Sequence, residues 1–95
     1  MRAEFSPAAL VDLEEIAGYI ARDDRNAPEA WVQKLVETVD RAAALPRAGR
    51  VVPELRDASI REVLLRSYRI IYRVRRTGIL VLTVIEGRRL LKPRR

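Results

Sequence analysis

Eight arginines are threaded through one stretch of this chain, Ile60 to Arg89, IREVLLRSYRIIYRVRRTGILVLTVIEGRR, where they interleave with β-branched and aromatic residues. A guanidinium offers a planar fork of donors that grips phosphates and carboxylates through two bonds and stacks on bases, so the chemistry open to this stretch is recognition of an anion. Within Tyr68-Arg69-Ile70-Ile71-Tyr72-Arg73-Val74 the pattern has period two. In an extended strand it places Tyr68, Ile70, Tyr72 and Val74 on one face and Arg69, Ile71, Arg73 and Arg75 on the other. The expected result is a core face backed by a basic surface broken by Ile71. Pairing of Arg69 or Arg73 across strands with Glu62 or Glu86 would account for the pattern without any function. Arg61 beside Glu62 and Arg56 beside Asp57 are equally open, because neighbours on a strand face opposite ways.

The absence of cysteine and histidine removes disulfides, thiol chemistry, the common zinc sites and every Ser-His or Cys-His nucleophile. Neither a metal nor a cofactor is expected. The net charge of +6 conceals an asymmetry: residues 1–40 hold nine acids and four bases, residues 41–95 four acids and fifteen bases. Seventeen of the nineteen bases are arginine. The second half therefore suits a polyanion or an acidic protein partner. No apolar run approaches the roughly 18 residues that span a bilayer, and the residues from Met1 to Pro7 lack the apolar core of a signal peptide. A cytoplasmic protein without a membrane partner is expected.

Three runs, 60–65, 68–74 and 79–85, fit a pleated half-buried surface and are read as antiparallel strands. Arg75-Arg76-Thr77-Gly78 is short enough for a tight hairpin closed by a glycine, and Arg66-Ser67 makes another short join. Upstream, Arg2-Ala3-Glu4-Phe5 is a candidate first strand. Ser6 as N-cap and Pro7 at the first helical position start a helix, whose stripe is Leu10, Leu13, Ile16, Ala17 and Ile20 and which fades around Arg22. Asp12, Glu14 and Glu15 lie off that stripe, near the favourable end of its dipole. Asn26 and Glu29 form an N-x-x-E start for a second helix. There Trp31, Leu35, Val39 and Ala42, widened by Val32, Val36 and Ala43, face a core until Pro46 ends the helix after Leu45. Residues 46–59 are expected to be an irregular loop pinned by Val51 and Val52, and the tail from Leu90 to Arg95 a basic, partly mobile end. Residues 1–95 thus form one α+β domain, β-α-α-β-β-β, with an antiparallel sheet packed on a two-helix hairpin.

This order, with Gly49-Arg50 after the second helix, Arg61-Glu62 opening the sheet run, the Tyr-Arg-Ile-x-Tyr-Arg-Val segment and the closing Val84-Ile85-x-Gly87-x-Arg89, resembles the RelE/ParE superfamily of toxins from type II toxin-antitoxin modules. The resemblance covers nearly the whole chain and is closer to the ParE branch. It implies a growth-inhibiting toxin, of the kind that stabilises plasmids, held in a hetero-oligomer by an acidic ParD/RelB-like antitoxin that folds over it.

Two activities are known on this fold. ParE-like members inhibit DNA gyrase; RelE-like members cut messenger RNA on the ribosome. Cleavage needs cationic clamps beside an acid or base. By motif, Arg69 and Arg89 match the cationic positions, and Glu86 stands where many members have histidine. Under the nuclease reading Arg69 and Arg89 clamp phosphate with Glu86 as candidate base, whereas an ion pair is the alternative role for Glu86. Neither lysine on the strand carrying Leu64 and Leu65 nor tyrosine after Arg89 completes the acid-base set, so the expectation is a gyrase-binding toxin that is not an enzyme, with the ribosome-dependent endoribonuclease as the alternative. A non-toxic basic nucleic-acid-binding module is the third reading. Arg61, Arg69, Arg73, Arg88 and Arg89 are the candidate target- or antitoxin-binding residues.

Overall fold

Ser6 begins the first helix as its sequence dictates: its hydroxyl accepts the Ala9 N–H at 3.1 Å, and Pro7 occupies the first turn. In the computed structural model, which describes residues 2–87, the elements run β1 (Arg2–Phe5), α1 (Pro7–Ala21), α2 (Ala27–Ala44), β2 (Arg50–Val51), β3 (Ile60–Leu65), β4 (Tyr68–Arg75) and β5 (Gly78–Glu86). The sheet order is β1-β5-β4-β3-β2. Strands β2 to β5 pair antiparallel as neighbours, while β1 joins the far edge parallel to β5, with Arg2 opposite Gly78 and Phe5 opposite Val81. The sheet is therefore mixed. Gly78 permits this edge pairing: a Cβ there would lie 1.8 Å from the Arg2 carbonyl oxygen.

Both helices cover one face of the sheet. Trp31, Leu35, Val39, Ala42 and Ala43 of α2 meet Ile70, Tyr72, Ile79, Val81 and Val84, and Trp31 packs edge-on against Tyr68 with ring centroids 5.4 Å apart. The stripe of α1 is rotated from the expected one: Ala9 is fully buried, Leu13, Ile16 and Ile20 are partly so, and Leu10 is 50% exposed. A small residue at the contact lets the helix approach the sheet closely. Val36 of α2 also faces solvent. Asn26 is helical at φ −91° and makes no side-chain cap bond, so the expected N-x-x-E cap does not form; its N–H instead bonds Asp24 Oδ1 at 2.9 Å.

A bulge in β5 keeps the core in register. Ile71 pairs with Thr83 and Tyr72 with Val81, so Leu82 is the extra residue, and Ile79, Val81 and Val84 all face the helices despite the broken parity. The N-terminal part of α1 satisfies the irregular backbone. Ser6 Oγ donates to the Leu82 carbonyl at 2.9 Å, and Asp12 accepts the Val84 N–H at 3.0 Å together with the Thr83 hydroxyl.

The opposite face is not the open basic surface that alternation suggests. Residues 46–59 include a 3-10 turn, Pro46–Ala48, and the two-residue β2 before folding back, where Val52 and Leu55 cover Ile60, Ile71, Leu82 and Ile85 as a second small core. The loop is held at several points. The Tyr72 hydroxyl donates to the Pro46 carbonyl at 2.6 Å, and Asp57 accepts the Ser59 N–H and hydroxyl at 2.9 and 2.7 Å. Those two Ser59 bonds, hydroxyl first, hold the Asp57 carboxyl below the usual carboxylate range.

Candidate functional site

Arg69 enters β4 between Leu64 of β3 and Ile85 of β5, on the face covered by the loop. Its residue is only 5% exposed. The guanidinium is held by two carboxylates: Nη1 and Nη2 donate to the two oxygens of Glu54 at 2.7 and 2.9 Å, and Nε and Nη2 donate to Glu62 Oε1 at 2.9 and 2.5 Å. Glu62, 2% exposed, is completed by Arg50, whose Nε donates to Oε2 at 3.0 Å. The hydrogen bonds that Arg69 donates to Glu54, and then those it donates to Glu62, lift its pKa above the ordinary value against the opposing effect of burial. A buried charge of this kind must be matched in place, and the pairs supply the match. Cross-strand pairing of Arg69 with Glu62 was legible as an alternative; Glu54, from the loop, carried no sequence signal.

The other candidates are dispersed. Arg61 lies opposite Tyr72 and spends its donors on the Ala58, Arg47 and Gly49 carbonyls, at 2.9, 3.1 and 3.1 Å, tying the loop to β3. Arg73 is exposed and reaches Ser59 Oγ at 3.4 Å. Arg88 and Arg89, like the tail, lie outside the described residues.

Glu86 lies on the other side of the sheet from Arg69. It pairs with Tyr68, one residue out of phase with the Arg69–Ile85 pair, and it lines a cleft with Asp12, Tyr19 and Tyr68 on the helix side. Arg69 borders a separate cleft with Arg50, Glu54 and Leu64. Among the described residues Glu86 forms no ion pair. Burial, then the charge of Glu86, raises the Tyr68 phenol above its usual pKa. Among the described residues no group of three or more acidic side chains is placed to hold a metal, and no helix is long and apolar enough to cross a membrane.

This α+β fold is similar to that of a solved structure. The chain matches a structure described as the chromosomal ParDE TA system from P. aeruginosa, with a TM-score of 0.75 and 20% sequence identity, over 90% of this chain and 95% of that one. The comparison with curated proteins found no match. Residues 3–91 match the family described as the ParE toxin of the type II toxin-antitoxin system parDE, and the chain belongs to that family.

Proposed function

We propose that this ParE-family toxin arrests growth by binding DNA gyrase, without cleaving nucleic acid, and that an acidic antitoxin held in a hetero-oligomer with it neutralises it in the cytoplasm. The observation that carries the choice of binding over cleavage is the separation of Arg69 from Glu86 by the sheet. A nuclease needs its phosphate clamp and its proton-transfer group around one scissile bond, within about 3 Å of the atoms they serve. Two side chains on opposite faces cannot share such a bond. Arg69 is moreover occupied by Glu54 and Glu62, so it braces the loop where a clamp would have to face outward.

Family membership and the charge of the C-terminal half support the antitoxin partner: an acidic segment meets exposed Arg50 and Arg73 through complementary charge. The test in cells is induction of the toxin alone and with its antitoxin. Growth arrest with DNA breaks and loss of plasmid supercoiling, relieved by co-expression, is the expected outcome. New cleavage sites in ribosome-bound messages, with supercoiling preserved, would overturn the proposal.

A further inference from the structure

The two-residue turn joining β3 to β4 carries a feature the fold itself does not require. Arg66 sits at φ +54°, in the left-handed region that a Cβ disfavours and that glycine or asparagine normally fills in two-residue hairpin loops. Its side chain is exposed and makes no hydrogen bond or ion pair among the described residues. An arginine held against its backbone preference with no partner among the described residues points to a role for the side chain in binding.

Arg66 and Ser67 form a ridge between two clefts. One, of about 490 Å³, is bordered by Arg50, Leu64 and Arg69; the other, of about 590 Å³, by Trp31, Lys34 and Tyr68. Cations stand exposed on both sides, since the Arg50 side chain is 64% accessible and Lys34 is exposed. Of the acids that border the clefts, Glu54 is paired with Arg69, while Asp24 accepts the Asn26 N–H through Oδ1 and stays exposed. Each cleft also has an apolar element. Leu64 is 63% exposed on one side, and on the other Trp31 is 6% exposed, its Nε1 buried without an acceptor among the described residues. A buried N–H lacking an acceptor is rare in native folds.

We propose that the Arg66 turn is the anchor of a docking surface for an acidic, amphipathic peptide segment. Carboxylates of that segment meet Arg66, Arg50 and Lys34, while its apolar side chains cover Leu64 and enter the Trp31 cleft. Charge complementarity selects this occupant, because exposed Arg66, Arg50 and Lys34 outnumber the exposed Asp24 carboxylate along the ridge and each hollow carries an apolar element. The inference rests on the antitoxin reading above in one respect: the antitoxin is the acidic partner.

The substitution Arg66→Gly separates docking from folding, since glycine accepts the turn's backbone conformation and removes only the side chain. Purified wild-type toxin, Arg66→Gly and Arg66→Lys would be titrated by calorimetry with the antitoxin from the adjoining reading frame, and each would be melted alone. The expected result is a loss of about tenfold or more in affinity for Arg66→Gly, with an unchanged or higher melting temperature and partial, salt-sensitive binding retained by Arg66→Lys. Binding by Arg66→Gly within about twofold of wild type would overturn the assignment while leaving the antitoxin reading intact. A wild type that fails to bind the antitoxin would remove both. An effect of Arg66→Gly confined to duplex DNA binding or to self-association would overturn the proposal in favour of nucleic acid or a second copy.

Discussion

Replacement of Arg69 by alanine tests whether this arginine braces the fold or serves a ligand. The change deletes the hydrogen bonds to Glu54 and Glu62 and leaves both carboxylates behind. Their fates differ. The Glu54 side chain is 17% exposed and can turn to water, whereas Glu62 is 1% exposed and among the described residues retains only Arg50, itself 64% exposed. Removing one partner of a buried pair costs about 3–5 kcal/mol, and the remaining Arg50 contact argues for the lower end, about 3 kcal/mol. For a domain of this size that is a large part of the total, roughly 5–14 kcal/mol, and corresponds to a fall of about 12–20 °C in melting temperature. Thermal and urea melts of the purified toxin would measure it. The double variant Arg69→Met, Glu62→Leu leaves neither partner of the buried pair in place and should be less destabilised than Arg69→Ala, with toxicity retained on induction. An Arg69→Ala protein that melts like wild type but has lost toxicity would refute the bracing role and return Arg69 to the site.

Other perturbations follow from close packing, helix propensity and burial. A Cβ at Gly49 would lie 2.1 Å from Tyr72 Oη and 3.1 Å from the Glu62 carbonyl oxygen, whereas one at Gly18 meets nothing within 4 Å. Gly49→Ala should therefore lower stability by about 2–3 kcal/mol through overpacking, and Gly18→Ala raise it by about 1 kcal/mol through helix propensity, both read by urea titration. Burial, partly opposed by a Gly49 backbone bond and the charge of Arg61, pushes the Tyr72 phenol up. Its folded pKa exceeds the unfolded value near 10, so its contribution to stability is complete below about pH 10 and is lost as pH rises toward the folded value. Melting temperatures between about pH 8 and 11 should fall at the alkaline end, and Tyr72→Phe should lessen that fall while costing about 1 kcal/mol at neutral pH, for the bond to Pro46.

The elements legible in the sequence are those set by local chemistry. Ser6-Pro7 marks a helix start because cap and proline act within one turn, and alternation from Tyr68 to Val74 identifies the core face because β4 is regular and central. Short turns made β3, β4 and β5 neighbours. The parallel pairing of β1 with β5 was not legible, since a four-residue strand has no period that names a partner more than seventy residues away. Nor was the bulge at Leu82, which depends on Ser6 and Asp12 arriving from α1. At the site, motif placed attention on Arg69 but not on its depth, because the cover comes from Val52, Glu54 and Leu55 in a loop whose prolines and glycine read only as irregular. Arg66 reads in the sequence only as part of a short join, because its positive φ and the two clefts beside it exist only in the folded chain.

The most direct test of the central claim is a supercoiling assay with purified gyrase, relaxed plasmid, ATP and the toxin, run with and without antitoxin. The account predicts that the toxin blocks supercoiling or traps cleaved DNA and that the antitoxin reverses the effect. Supercoiling unaffected by folded toxin, alongside cleavage of messenger RNA on purified ribosomes, would contradict it.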